Sequence, residues 1–305
     1  MGFVEKVVLG LKHPELLVRE ANRIFYRVQN RQGYNEEGCD VMAEDWDNLV
    51  LLDGCRNDFF VENCDIDGRL ETRVSRGSAT REFLAGNFDG RTFHDTVYIT
   101  ANPQFYRRHI DCEFHAVENV WQEEGWDEQE GTVLPETVTE RGIAAQERYP
   151  NKRLLIHYMQ PHFPFIGSDV NPNEEFMKAE SDEFHIWMEL QTGKLDVDRD
   201  AVWSAYENNL RRAFPHVRKV LETLEGKSVV TSDHGNLFGE RIKPFPVRTW
   251  GHPRQLYVEP LIRVPWLVLD SDSRPDIVSE APQNIDSNIG NDVIASRLED
   301  LGYIE

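Results

Sequence analysis

The stretch Asn48-Leu-Val-Leu-Leu-Asp53, inside NLVLLDGCRND (Asn48–Asp58), decides the fold. Its four apolar residues run without polar alternation, the pattern of a strand buried on both faces, and the run stops at a carboxylate. Thr96-Val-Tyr-Ile-Thr100, Arg153-Leu-Leu-Ile-His157 and Lys227-Ser-Val-Val-Thr231 have the same character, and Trp266-Leu-Val-Leu269 adds a later run. Between these runs the sequence predicts helices at Glu82–Ala85, Pro135–Arg148, Arg199–Glu225 and Asn288–Leu301. Within the long one, Trp203, Tyr206, Leu210 and Phe214 keep helical spacing, Pro215 is expected to kink or split it, and Gly226 to stop it. Strands alternating with helices imply an α/β fold with a mostly parallel central sheet covered by helices on both faces.

Ligands of open parallel sheets bind beyond the carboxyl ends of the strands. Chemistry is therefore expected at the polar residues that follow the apolar runs: Asp53, Asn102, the His157–His162 stretch and Asp233-His234. Segments 165–200 and 271–287 are rich in Asp, Asn, Ser, Pro and Glu and read as loops, the first long enough for a substrate lid.

The net charge is −21, and 25 of the 33 basic residues are arginine against 8 lysines. Such acidity repels nucleic acid phosphates in ordinary buffer, and it suits a protein kept soluble in strong salt, where self-repulsion is screened. Residues 1–32 depart from this balance with a net charge of +3. There Leu17, Ala21, Ile24 and Val28 recur at helical spacing, as do Arg19, Arg23 and Arg27, giving an amphipathic helix with a basic face. The helix either docks on its own domain or contacts a membrane surface or partner. The expected organisation is an N-terminal helical arm over 1–44 and one catalytic domain over 45–305. No run of about 18 apolar residues is present, and no small-residue cleavage site follows the N-terminus, so a cytoplasmic protein is expected. The four cysteines (39, 55, 64 and 112) form no CxxC pair and read as free thiols.

Five segments carry the chemistry: NLVLLDGCRND (Asn48–Asp58), SRGSATREF (Ser75–Phe83), HYMQPHFPF (His157–Phe165), VTSDHGNLFGE (Val230–Glu240) and Gly251-His252-Pro253. In this order they resemble the alkaline phosphatase–sulfatase superfamily, especially its sulfatase-like branch with the lipoteichoic acid synthases and archaeal sulfatase-like proteins. The resemblance implies that Asp53, Asp233 and His234 are metal ligands. It also implies that Ser78 is the nucleophile touching that metal, that His162 faces the transferring group, and that His252 contacts substrate or a second metal. Ser75 and Thr80 lie beside Ser78; Ser75 fits the alkaline phosphatase register, and Ser78 or Thr80 could instead cap the following helix.

A serine hydroxyl needs a base or a metal to become nucleophilic, and cationic side chains stabilise the charge on a transferring group. Arg76, Arg81, Arg248 and Asn102 are the candidate substrate contacts. Neither Ser75 nor Ser78 carries the sulfatase pattern of Pro or Ala at the second following position and Arg at the fourth. Gly54 also stands where sulfatases have a second Asp, and His234 where they have Asn. An imidazole ligand favours Zn²⁺ or Mn²⁺ over Ca²⁺. The expectation is a phosphoester hydrolase or transferase with one metal, His162 and His252 being available for a second. A sulfatase and a non-catalytic binding relative are the alternatives. A small-molecule or glycan- or lipid-linked ester is the expected substrate.

Overall fold

The strand over Asn48–Leu52 (β1) is buried along its whole length in the computed structural model, which describes residues 10–107, 110–170, 186–283 and 291–302. Its side chains serve two layers in alternation. Leu49 and Leu51 pack with Phe83, Phe88 and Trp266, while Val50 and Leu52 pack with Val138, Leu210 and Val217. Full burial of each such aliphatic side chain stabilises the fold by roughly 2 kcal/mol, so a polar residue on either face of β1 would be costly.

The other strands are β2 (Arg69–Val74), β3 (Arg91–Thr100), β4 (Cys112–Asn119), β5 (Arg153–Tyr158), β6 (Ser228–Thr231), β7 (Leu237–Ile242), β8 (Val247–Gly251) and β9 (Arg263–Leu269). With β1, six of them form one seven-stranded sheet in the order β2-β9-β6-β1-β5-β3-β4, and β7 and β8 form a separate antiparallel hairpin. In the large sheet β1 is parallel to both β5 and β6, and β3 is parallel to β4 and β5; β9 runs antiparallel to β2 and β6. The sheet is therefore mostly parallel, as its apolar runs predict.

The helices are α1 (Pro14–Gln29), α2 (Asn57–Asn63), α3 (Thr80–Phe88), α4 (Gln104–Arg107), α5 (Pro135–Arg148), α6 (Ile186–Thr192), α7 (Arg199–Thr223), α8 (Glu259–Ile262) and α9 (Asn291–Asp300). Contrary to the expected break, α7 continues through Pro215 as one helix of 25 residues. Gly226 follows it with φ of +92°, a left-handed turn that suits glycine. Parts of the segments 165–200 and 271–287 and of the C-terminal helix (171–185, 284–287 and 288–290), with the first nine residues of the arm, lie outside the described residues.

The arm docks on the domain through both apolar and polar residues: Leu16 is buried, and Val18 and Tyr26 pack against a cluster that includes Leu237, Leu256 and Leu261. Asn22 is buried and exchanges two hydrogen bonds with the backbone of Phe245, at 2.8 and 2.9 Å, and Arg23 donates to the Arg254 carbonyl at 2.8 Å. Among the described residues no helix is long and apolar enough to cross a membrane. All four cysteines are unpaired thiols.

Candidate active site and metal centre

Because β1 lies between β5 and β6, the residues that end these three strands meet. Asp53 follows β1, His157 sits near the end of β5 and Asp233 follows β6. One ligand atom of each lies within 4.8 Å of the others, and all three side chains are buried. Asp53 and Asp233 are thus neighbours across 180 residues of chain, as the sequence predicts for a shared metal.

Local backbone geometry fixes the donors. Gly54, at φ of +64°, turns its N–H onto Asp233 Oδ1 at 2.9 Å, and a Cβ there would stand 3.4 Å from the His234 ring. Asp233 Oδ1 also accepts from the His234 N–H at 2.9 Å, whereas its Oδ2 carries no hydrogen bond. His234 Nδ1 faces the Gly235 carbonyl at 2.7 Å, so that nitrogen holds the proton. Nε2 then presents a lone pair 3.4 Å from Asp233 Oδ2 and 3.8 Å from Asp53 Oδ1. His157 Nδ1 meets the Tyr98 hydroxyl at 2.8 Å, leaving Nε2, without a hydrogen bond, 3.4 Å from Asp53 Oδ2. Tyr206 clamps the turn from α7, donating to the Gly54 carbonyl at 2.6 Å and accepting from the Arg56 N–H at 2.9 Å.

Burial alone would push the Asp53 carboxyl up, but the imidazoles of His162, His157 and His234 outweigh it and hold the acid well below the usual carboxylate range. Burial keeps the His162 imidazole below its ordinary value against the pull of Asp53.

Two buried carboxylates side by side, one with a bare oxygen, are tenable only with a cation or protons between them. The mixed oxygen and imidazole set around them fits a divalent metal of the zinc or manganese type. Asp53, Asp233, His234 and His157 would hold it.

The hydroxyls of SRGSATREF are sorted by the same geometry. Thr80 Oγ1 lies 3.3 Å from Asp53 Oδ2 and 3.2 Å from His234 Nε2, inside the cluster. Ser78 Oγ instead bonds the Glu82 carboxylate at 2.8 Å and lies 3.1 Å from the Pro253 carbonyl. Ser75 donates to the Asp233 carbonyl. Ser78 sits two residues before the first residue of α3, and Glu82 reaches back to its N–H at 3.0 Å. The N-cap itself is Ala79, which makes no side-chain capping bond, so Glu82 ties Ser78 to the first turn while Thr80, the first helical residue, faces the candidate ligands. The Glu82 carboxyl is pushed up by burial, against the bonds from Ser78.

His162 and His252 meet, with their Nε2 atoms 3.4 Å apart. His162 Nδ1 faces the Phe163 carbonyl at 2.5 Å and His252 Nδ1 faces Asn236 Oδ1 at 3.2 Å.

Other candidates are placed elsewhere. Asn102 donates to Asp53 Oδ2 at 2.5 Å, so it orients a metal carboxylate rather than standing free for substrate. Arg76 is spent on the carbonyls of Gly38 and Gly86 and on Asp40. Arg248 is exposed on β8. Arg81 is half-buried directly after Thr80. His157, a candidate ligand missing from the predicted set, carried one signal: an imidazole at the end of an apolar run.

No protein-family model matches the sequence, and no curated protein matches it. Among solved structures, the chain is similar to the C-terminal periplasmic domain of EptC from Escherichia coli, in complex with Zn (TM-score 0.49, 14% identity, covering 77% of this chain and 76% of that one). It is also similar to the integral membrane protein lipooligosaccharide phosphoethanolamine transferase A (EptA) from Neisseria meningitidis (TM-score 0.47, 13% identity, 74% and 47%). A third is an alkaline phosphatase superfamily protein from Vibrio parahaemolyticus (TM-score 0.44, 12% identity, 88% and 69%). A periplasmic domain and an integral membrane protein among these neighbours overturn the cytoplasmic placement expected from the N-terminus. The five sequence motifs and this architecture resemble the same superfamily.

Proposed function

We propose that the chain is a metal-dependent hydrolase or transferase of phosphate esters whose nucleophile is Thr80. One observation carries this reading: the Thr80 hydroxyl lies within 3.3 Å of Asp53 and His234, in a buried cluster suited to a divalent cation. This reading moves the role expected of Ser78 by two residues, because the Ser78 hydroxyl is bonded to Glu82 and faces the Pro253 carbonyl.

Thr80 is the first residue of a nine-residue helix, whose partial positive end favours a negative oxygen there. Its proton has two acceptors in reach, Asp53 Oδ2 and His234 Nε2. A bound Zn²⁺ or Mn²⁺ would lower the pKa of a hydroxyl beside it and neutralise phosphoryl charge. Attack forms the bond from Thr80 Oγ1 to phosphorus as the ester oxygen leaves. Water, or an acceptor hydroxyl, then takes the phosphoryl group and returns the threonine.

His162 and His252 suit the leaving oxygen. With both Nδ1 atoms engaged, the facing Nε2 atoms need a proton or a cation between them, so the pair can hold and deliver a proton. The same pair offers two nitrogens to a second metal. Asn102 and Tyr98 orient Asp53 and His157. The substrate class is a small-molecule or glycan- or lipid-linked phosphoester.

The test is turnover of aryl phosphate monoesters, diesters and aryl sulfates with Zn²⁺ or Mn²⁺, for the parent chain and Thr80→Ala. Metal-dependent cleavage of a phosphate ester that Thr80→Ala abolishes is the expected result. Cleavage of sulfates alone, or full activity in Thr80→Ala, would refute it.

A further inference from the structure

The N-terminal arm docks with one part of its surface and leaves an apolar stripe uncovered. An amphipathic helix that docks to complete a core buries its apolar stripe. Here α1 buries Leu16 and Asn22 and half-buries Val18, Arg23 and Tyr26 against the domain, while a second apolar stripe of the helix faces out. Val28 is 67% exposed, Leu17 52% and Ile24 45%, and Phe25 and Leu11 are exposed beside them. Phe245, on the β7–β8 turn to which Asn22 is bonded, is a further exposed aromatic at 48%.

Charge separates this surface from the rest of the molecule. Residues 1–32 carry +3 in a chain of −21, so the remaining residues hold about −24 by difference. Lys12, Arg27 and Arg31 are exposed on or beside the helix. An anionic surface would repel the body of the protein and attract the arm, so only approach through the arm is favourable. A second copy of a chain this acidic is a poorer match for the same surface.

We propose that α1, with Phe245 at its side, is a membrane-surface element that lies in the interface of an anionic bilayer. Leu17, Ile24 and Val28 enter the acyl boundary, and Arg27 and Arg31 meet lipid phosphates. A chain of contacts links the helix to the site. Arg23 holds the Arg254 carbonyl, Tyr26 stands edge-on to Tyr257 at 6.4 Å, and the intervening Gln255 N–H binds Glu82, which holds Ser78. The docked helix would thus be coupled to the segment that bears His252. This inference does not depend on the reaction assigned to the site.

The test is co-sedimentation of the full chain with vesicles of phosphatidylglycerol and phosphatidylcholine in equal parts, against phosphatidylcholine alone. The parent should bind the anionic vesicles. Leu17→Ser/Ile24→Ser/Val28→Ser, at exposed positions, should lower the partition at least tenfold with an unchanged melting temperature, and Arg27→Glu/Arg31→Glu should do the same. Absence of binding by the parent, binding unaltered in the triple variant, or equal binding to neutral and anionic vesicles would overturn the proposal. Light scattering adds one more outcome: a parent dimer that the triple variant converts to a monomer, without vesicle binding, would assign the stripe to a second copy and overturn it too.

Discussion

Asp233→Asn should stabilise the metal-free protein and destabilise it relative to the parent once metal is added. The amide keeps the oxygen that accepts from the Gly54 and His234 N–H groups, each at 2.9 Å. It places a donor where Asp233 Oδ2 has no hydrogen bond, facing the His234 Nε2 lone pair at 3.4 Å. What is lost is repulsion between two buried carboxylates whose ligand oxygens lie within 4.8 Å. At that separation, with an effective dielectric of about 20, the term is about 3.5 kcal/mol, before the surrounding imidazoles offset part of it. For a chain of 305 residues this corresponds to a melting temperature about 5 °C higher at most. Metal reverses the order, because binding stabilises the parent by about 4 kcal/mol when free metal exceeds its dissociation constant a thousandfold. A neutral amide is a weaker ligand and gains less. The assay is thermal unfolding of both proteins in EDTA and in excess Zn²⁺ or Mn²⁺. A variant that melts below the parent in EDTA, or an equal rise with metal in both, would refute the reading of this cluster as a metal site.

Thr80→Ala should lower kcat by at least about a thousandfold, while Ser78→Ala stays within about tenfold of the parent, since one removes the attacking oxygen and the other a hydrogen bond to Glu82; an inactive Ser78→Ala beside an active Thr80→Ala in steady-state assays would return the nucleophile to Ser78. Glu82→Gln should cost about 1–3 kcal/mol in urea unfolding, because both carboxylate oxygens accept backbone N–H groups, from Ser78 and Gln255, and an amide must turn a donor onto one of them. An unchanged midpoint would show that these bonds are dispensable. The charge of −21 predicts a melting temperature that climbs as KCl rises from 0.1 M into the molar range, through screening of carboxylate repulsion. A flat curve, measured by circular dichroism, would assign the acidity to a partner instead.

The sequence by itself determined the interior of the sheet, because a strand buried on both faces must be apolar at every position, and β1, β5 and β6 write that requirement openly. It singled out Asp53 and Asp233-His234 as ligand candidates as well, since a carboxylate or imidazole that ends such a run stands at the sheet's carboxyl edge. The edge strands were hidden. β2 (RLETRV) is largely exposed and carries no apolar run, and the β7–β8 hairpin lies outside the main sheet. Continuity of α7 through Pro215 was likewise decided by packing, with Phe214 and Val217 both held in the core. Which hydroxyl of SRGSATREF meets the metal ligands could not be read from spacing. Three candidates within six residues differ in their tertiary partners, and Ser78 is held by Glu82, whose carboxylate also accepts, across 173 residues, the Gln255 N–H. His157 became a ligand candidate only when strand order placed β5 beside β1. The arm's periodicity was visible from the start, but periodicity marks an apolar stripe without saying which way it faces. Only tertiary docking, through Asn22 against Phe245 and through buried Leu16, left that stripe facing solvent.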